Sequence, residues 1–236
     1  MKSKDLFVIG HLGLGDLLIM QGAIRKLSET RKPRRLFVLV RECFLGNAVQ
    51  ILKGISNIEL KTTRCNWITD VNIDTIVPSD FTGNILDRWW YNYPGWGEHT
   101  IYTSLGFSLE DRYKYKIPRD IERETEIYQQ VIKEQNYIFI HDDPTRGHTI
   151  KLDKIPNYYG QAIIKSSELQ QYTLMDLLAV LDKAKECHVI YSSFAMLIDL
   201  MCSSKMYIHE KYINKIKGAL TPEVYKHLKA RDIVLI

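Results

Sequence analysis

Short apolar runs alternate with amphipathic stretches along most of the chain. The first run is residues 6–9; a glycine-rich stretch follows, and apolar side chains then recur at helical spacing as far as Leu27. Further strand-like runs occupy residues 36–40, 58–61, 73–77, 137–140, 163–167, 188–191, 206–209 and 233–236. Helices are predicted near residues 46–53, 121–134, 174–185 and 195–201. This alternation of strands and helices predicts an α/β fold with parallel sheets.

A polar stretch at residues 108–120 interrupts this pattern. Each half of the chain contains a strand that ends in a polar loop, and alternating elements follow it. At 236 residues the chain could form one domain or two small Rossmann-like domains with parallel sheets, and we place a connection between domains near residues 113–120.

The loop after the first predicted strand contains the first candidate chemistry. Gly10, Gly13 and Gly15 do not have the G-x-G-x-x-G spacing of a dinucleotide-binding loop, and Asp16 follows the last glycine directly. A carboxylate suits the positive end of a helix but would repel a pyrophosphate bound there. The pattern is typical of a loop that places a carboxylate beside a substrate. The alternative is that Asp16 only caps the helix.

The sequence GLGD at residues 13–16, followed by QGAI at residues 21–24 and by Leu27, resembles the N-terminal signature of heptosyltransferase-type glycosyltransferases. That family has G-x-G-D, a few apolar residues, Pro-Ala and a Leu, so Gly22 departs from its pattern. The resemblance implies a divergent, shortened version of the two-domain GT-B fold, in which parallel sheets face each other across a cleft. It implies an acceptor-side domain at 1–118 and a nucleotide-sugar-binding domain at 119–236. It also implies that Asp16 is the general base for the acceptor hydroxyl.

A second candidate site is the sequence HDDPTRGH at residues 141–148, directly after a predicted strand. One interpretation makes Asp142 and Asp143 a metal site for a nucleotide diphosphate, but adjacent residues on an extended chain point in opposite directions. We favour Thr145 and Arg146 as diphosphate contacts, because arginine offers a bidentate fork. In the resembled family a Ser/Thr and a following Lys hold the leaving diphosphate here, which adds Lys151.

Two serines begin the helix predicted after the strand at residues 188–191. Ser192 and Ser193 can offer hydroxyls and backbone N–H groups to a phosphate, and the resembled family has a polar pair at this place. An ordinary N-cap also explains them.

Three of the four tryptophans lie between residues 81 and 106, together with several tyrosines. Aromatic faces pack on sugar rings, and this makes Trp90, Trp96 and His99 candidate acceptor or sugar contacts, together with His11, Gly13 and Gly15 of the first loop. The alternative is that these aromatic residues pack between the domains.

Composition narrows the class of protein. The formal net charge is +4 without a dense block of Lys and Arg, so a dedicated nucleic-acid binder is not expected. Four scattered cysteines favour a reducing compartment over a disulfide scaffold or a zinc site. No apolar run is long enough to span a bilayer. We expect a cytoplasmic protein without a transmembrane segment, and peripheral contact with a membrane stays open.

The leading hypothesis is an inverting, metal-independent glycosyltransferase without a cofactor, which moves a sugar from a nucleotide-diphosphate sugar to a hydroxyl acceptor on a glycan. One alternative is a non-catalytic nucleotide-sugar-binding module, or a subunit of a larger glycosylation assembly. Another is a different nucleotide-dependent enzyme such as an oxidoreductase, against which the poor dinucleotide fingerprint argues.

Overall fold

A computed structural model of the chain describes residues 4–87, 98–155, 159–209 and 233–235. The chain divides into two compact units, Met1–Pro118 and Arg119–Ile236, and each contains a parallel β-sheet. The acceptor and donor roles expected for the two halves stay predictions.

The sheet of the first unit has the strand order β3-β2-β1-β4, and all neighbouring strands are parallel. Its strands are β1 (Asp5–Ile9), β2 (Leu36–Arg41), β3 (Ile58–Thr63) and β4 (Gly83–Asp87). The helices described in this unit are α1 (Leu14–Arg31), α2 (Leu45–Ile51), α3 (Ile73–Ile76), α4 (Glu98–Thr103) and α5 (Asp111–Lys114). Short 3-10 turns occupy Glu42–Phe44 and Ile68–Asp70.

The two apolar runs at the centre of this sheet are buried along their length. Every residue of β1 is buried, and so are the first five residues of β2. Such continuous burial is what a central parallel strand requires, and it explains why these strands read as unbroken apolar runs. The chain leaves β1 at its carboxyl end and enters α1, whose residues 17–25 are all buried.

The predicted strand at residues 73–77 is wrong, because this segment forms the short helix α3. Asn72 caps the helix by accepting a hydrogen bond from the N–H of Asp74 at 3.1 Å, and Ile73, Ile76 and Val77 pack on the core at helical spacing. The fourth strand is β4 instead. Its first three residues are exposed, so its apolar signal is weak. The first residue of β4, Gly83, has to be a glycine, because a Cβ at this position would overlap the backbone oxygen of Asp5.

The polar stretch at residues 108–120 contains the helix α5, which the sequence pattern did not indicate. Its backbone lies against α1 at Gly22: a Cβ there would be 2.7 Å from the carbonyl oxygen of Asp111 and 2.8 Å from Cα of Arg112. Gln21 of α1 adds a hydrogen bond from Nε2 to the carbonyl oxygen of Arg112, at 3.0 Å. The position at which the chain departs from the heptosyltransferase signature is therefore a close contact between two helices.

The sheet of the second unit has the order β6-β5-β7-β8-β9, again with parallel neighbours. Its strands are β5 (Tyr137–His141), β6 (Ala162–Lys165), β7 (Glu186–Val189), β8 (Lys205–Ile208) and β9 (Val234–Leu235). Its described helices are α6 (Ile121–Val131), α7 (Leu178–Asp182) and α8 (Ser193–Met201), with 3-10 turns at Pro144–Arg146, Leu152–Lys154, Ser166–Glu168 and Met175–Leu177.

The helix predicted at residues 174–185 is shorter than expected. Thr173 and Asp176 exchange side-chain to backbone hydrogen bonds at its start, and a 3-10 turn precedes α7. Within the described part of the chain, none of the helices combines the length and the apolar character needed to cross a membrane.

Candidate functional site

The first candidate site lies where β1 passes into α1. β1 ends at Ile9, and α1 begins at Leu14 with Gly13 as its N-cap residue. Gly15 and Asp16 therefore lie in the first turn of the helix, and the prediction that both belong to the loop is wrong. The carboxyl ends of the strands are the edge at which open α/β sheets bind ligands, so Asp16 is at the expected edge of the first sheet.

The carboxylate of Asp16 is held on two sides. Its Oδ2 atom is 3.5 Å from Nδ1 of His11, and each of these side chains is 37% exposed. On the other side the carboxylate folds back over Gly13, so closely that a Cβ on Gly13 would overlap Oδ2. A larger residue at position 13 would have to displace the carboxylate. The hydrogen bond with Asp16 raises the pKa of His11 above its ordinary value of 6.5, and partial burial of the imidazole opposes that shift.

Basic side chains at the ends of β2 and β3 belong to the same edge of the sheet. Arg41 donates to Oδ1 of Asn66 at 2.7 Å and lies over the ring of Phe44, while Arg64 donates to Glu42 at 2.6 Å. Arg41 also lines a narrow pocket beside His11 and Gly13. Neither arginine belongs to a sequence motif, so the sequence did not indicate them as site residues.

The second candidate site is the loop after β5, and its two aspartates are engaged in holding its shape. Asp143 and His148 exchange backbone hydrogen bonds at 2.7 and 2.8 Å, which closes the loop. The Asp143 carboxylate accepts the hydroxyl of Thr145 at 2.5 Å, and Oδ2 of Asp142 accepts the N–H of Ile150 at 3.2 Å. Among the described residues, no group of three or more His, Cys, Asp or Glu side chains is arranged to hold a metal ion.

The predicted diphosphate contacts in this loop are only partly described. Thr145 and Lys151 are exposed. Arg146 ends the 3-10 turn Pro144–Arg146, and its side chain lies outside the described atoms. The binding roles of all three residues stay predictions.

The N-terminus of α8 lies at the same edge of the second sheet. The N–H of Ile190, just after β7, donates to the carbonyl oxygen of His141 at the end of β5, at 3.1 Å. Ser192 is the N-cap residue of α8, but its side chain makes no capping hydrogen bond. Its hydroxyl oxygen is buried and has no hydrogen-bond partner in the described residues. Native structures rarely leave such an atom without a partner, so this hydroxyl is a candidate ligand contact.

His141 also lies at this edge, and no motif marked it as a candidate site residue. Its Nδ1 atom is 2.8 Å from the Ser166 hydroxyl after β6, and its ring stacks on Phe194 of α8 at 4.2 Å. Burial lowers the pKa of His141 to about 4, so the imidazole is neutral near pH 7. The feature of the sequence that could have indicated His141 is its position at the end of a predicted strand, directly before the polar loop.

Comparisons with known proteins give matches in structure alone. The sequence matches no protein-family model and none of the curated proteins with which it was compared. One similar structure is the glycosyl transferase family 9 protein from Veillonella parvula DSM 2008, with a TM-score of 0.53 and 9% identity over 97% of both chains. Another is TibC, an iron-containing dodecameric glycosyltransferase from enterotoxigenic E. coli H10407. Its TM-score is 0.51 at 11% identity, over 89% of this chain and 59% of TibC.

The chain has the fold of these two proteins. The predicted α/β fold with two Rossmann-like, parallel-sheet domains of the GT-B type is thereby confirmed. At such low identity the likeness extends to the fold, and the roles of individual residues have to be argued from their own geometry.

In this GT-B fold, the predicted site residues His11, Gly13, Gly15 and Asp16 lie together at one sheet edge. Ser192 and Ser193 lie at the carboxyl edge of the second sheet, as does the loop that contains Thr145. Trp90 and Trp96 lie outside the described residues, and His99 lies in α4 with its side chain outside the described atoms. These three remain predictions.

Proposed function

We propose that this protein is a glycosyltransferase that moves a sugar from a nucleotide-diphosphate sugar to a hydroxyl group of a glycan acceptor in the cytoplasm. The observation that carries the proposal is the half-buried Asp16 carboxylate at the carboxyl edge of the first sheet, in a chain that shares its fold with glycosyltransferases. The unit 1–118 would receive the acceptor, and the unit 119–236 the donor.

Asp16 would act as the general base. The carboxylate takes the proton of the acceptor hydroxyl while the acceptor oxygen attacks the anomeric carbon of the sugar. The bond from that carbon to the diphosphate oxygen breaks, and the nucleoside diphosphate leaves with the electron pair. Because attack and departure occur on opposite faces of the carbon, a single step of this kind inverts the anomeric configuration.

The departing diphosphate would be held by Thr145, Arg146 and Lys151, together with Ser192 and Ser193. Two observations support this assignment. The N-terminus of α8 offers backbone N–H groups and the positive end of a helix dipole. The buried Ser192 hydroxyl needs a partner, and a phosphate oxygen would provide one.

The proposal includes transfer without a metal ion or other cofactor. Its support is that the aspartates of the second site are engaged by the N–H of Ile150 and the hydroxyl of Thr145. Activity that is unchanged by EDTA is the expected result. A transfer activity that strictly requires manganese would instead support Asp142 and Asp143 as metal ligands.

A thermal-shift screen with UDP-, GDP-, ADP- and dTDP-sugars tests for a donor site. A donor at a hundred times its Kd should stabilise the protein by about 2.7 kcal/mol and raise its Tm. Stabilisation by none of the four classes would contradict the proposal.

The base assignment is tested by Asp16→Asn. This variant should keep the donor-induced rise in Tm but lose roughly a hundredfold or more of the transfer rate. Glu122→Gln, an exposed carboxylate in the first turn of α6, is the matched control and should transfer at the normal rate. An Asp16→Asn variant with the full rate would remove Asp16 as the base.

A further inference from the structure

The contacts of Asp16 fix the direction in which its carboxylate points. On one side the carboxylate lies over the bare Cα of Gly13, and on the other Oδ2 faces Nδ1 of His11 at 3.5 Å. His11 lies two residues after β1, and Asp16 lies in the first turn of α1. The chain reverses between them, so the pairing follows from this loop of residues 10–13.

This pair contributes little to the stability of the fold. Both side chains are more than one-third exposed, and ion pairs with that exposure are weak because water and salt screen them. Their exposure also leaves the pair within reach of a substrate at this edge of the sheet. A role in substrate chemistry explains the arrangement better than a structural role.

We infer that His11 is a positioning residue for Asp16: it orients the carboxylate toward the acceptor hydroxyl, and the charge on its imidazole decides how strongly it competes for that carboxylate. The inference rests on the proposed function, and it adds that His11 controls the general base, Asp16. A protonated His11 attracts the Asp16 carboxylate and competes with the acceptor hydroxyl for Oδ2, whereas a neutral His11 attracts the carboxylate less. The acceptor proton still moves to Asp16, and its transfer is faster when the imidazole is neutral.

The electrostatics of the loop agree with this pairing. Asp16 is the charged group that raises the pKa of His11. Other charged residues lie at this edge. Arg41 lines the pocket beside His11 and is engaged with Asn66 and Phe44. Arg64 is paired with Glu42, and Asp87 ends β4, the neighbour of β1. The transfer rate should therefore rise with pH through a His11 pKa above 6.5.

The pairing itself is tested without any substrate, by NMR titration of the His11 ring in the full chain. The pKa of His11 should lie above 6.5 in the wild type and fall in Asp16→Asn. Asp74→Asn is the matched control, since it removes an exposed carboxylate from the first turn of another helix of the same unit. It should leave the pKa of His11 unchanged. A His11 pKa that does not respond to Asp16→Asn would overturn the inference.

The role in transfer is tested by pH–rate profiles of nucleoside diphosphate release, with whichever of the UDP-, GDP-, ADP- or dTDP-sugars the protein turns over. His11→Gln can still donate a hydrogen bond to Asp16 but cannot titrate, so it should keep much of kcat and lose the inflection. His11→Ala should lose both the inflection and more of kcat, though less than the roughly hundredfold or more expected for Asp16→Asn. The donor KM should stay constant in both variants.

The failures of the two proposals are distinguishable. An inflection near the NMR-measured pKa that survives in both His11 variants would overturn the role of His11 while leaving the glycosyltransferase proposal intact. If the wild type turns over none of these nucleotide sugars, the proposed function falls and the positioning role falls with it. The titration still decides whether the two side chains are coupled. Melting temperatures of the variants show that each one is folded.

Discussion

The Ser192 hydroxyl shows how a single atom can indicate a binding site. It is buried at the start of α8 without a partner in the described residues. A polar atom in this state costs free energy in the empty protein, and a ligand that bonds to it recovers that cost. The Ser192 hydroxyl therefore stabilises a complex with a ligand more than it stabilises the ligand-free protein.

Ser192→Ala should leave the free energy of unfolding of the ligand-free protein unchanged or slightly higher, because the removed hydroxyl makes no hydrogen bond there. The Kd of the donor sugar nucleotide should rise roughly tenfold, which is the loss of one hydrogen bond to a charged oxygen, about 1.5 kcal/mol. Urea denaturation and donor titration measure the two quantities. Ser167→Ala, an exposed serine in the turn after β6, should change neither. A large loss of stability in Ser192→Ala would instead show a structural role.

Gly13→Ala tests whether the position of the Asp16 carboxylate matters. Gly13 has φ −74° and ψ 146°, which alanine adopts without strain, so the expected loss of stability is below about 1 kcal/mol. The new methyl group would push the carboxylate of Asp16 from its place, and the transfer rate should fall while donor binding stays constant.

In an Asp16→Asn background the Gly13→Ala substitution should have little further effect on transfer, because residues that act as a unit are not additive. Additive losses in the double variant would show that Gly13 acts independently of the carboxylate.

At the scale of elements, Asp5 joins the beginnings of β1 and β4. Its buried carboxylate accepts bonds from Arg34 and Arg35 at 2.8 Å and from the N–H of Thr82 at 3.2 Å. These bonds hold the pKa of Asp5 well below its ordinary value of 3.8. The carboxylate thus contributes stability above about pH 4, and this contribution is lost as the pH falls toward the lowered pKa.

Asp5→Asn should lower the free energy of unfolding at pH 7 by roughly 3 kcal/mol, because two arginines lose a buried partner. The difference between the variant and the wild type should shrink as the pH falls below 4. Urea denaturation between pH 3 and pH 7 measures both effects. Asp80→Asn removes an exposed partner of Arg35 and should have a much smaller effect. A difference that does not change with pH would show that packing, rather than charge, makes Asp5 important.

Burial decided which elements could be predicted from the sequence. β1, β2 and β5 are buried along nearly their whole length, and their apolar runs predicted them within a residue or two. β4 begins with three exposed residues, and α3 has an apolar pattern too short to distinguish a helix from a strand. α5 was missed because it buries a polar residue, Asp111, whose carboxylate is paired with Lys26 of α1, a contact between distant residues that no local pattern reveals.

The same limit applies to the candidate site. A glycine-glycine-aspartate spacing is a local signal, so the loop at Asp16 was found directly. His141 acquires its environment from Ser166 and Phe194, which are distant in sequence, and the sequence offered only its position at a strand end. Arg41 and Arg64 were missed for the same reason, since the strand order brings them to one edge.

At the scale of the whole molecule, the two units offer different chemistry to ligands. The carboxyl edge of the first sheet presents the His11–Asp16 pair, which suits proton transfer. The carboxyl edge of the second sheet presents the start of α8 and the loop after β5, which suit a diphosphate. Fold likeness at 9–11% identity does not decide which unit takes which substrate.

Amide hydrogen exchange with a bound nucleotide sugar can decide it. If the second unit holds the donor, residues 141–151 and 190–197 should exchange more slowly in the complex, because the ligand orders the loop and accepts hydrogen bonds from the start of α8. Residues 10–17 should change less in the absence of an acceptor. The slowing should be weaker in Ser192→Ala at the same donor concentration, since that variant binds less tightly. Protection confined to residues 10–17 and 41–45 would assign the donor to the first unit. Asp16 would then lie beside the phosphates, where its charge repels them, and could no longer be the base for the acceptor.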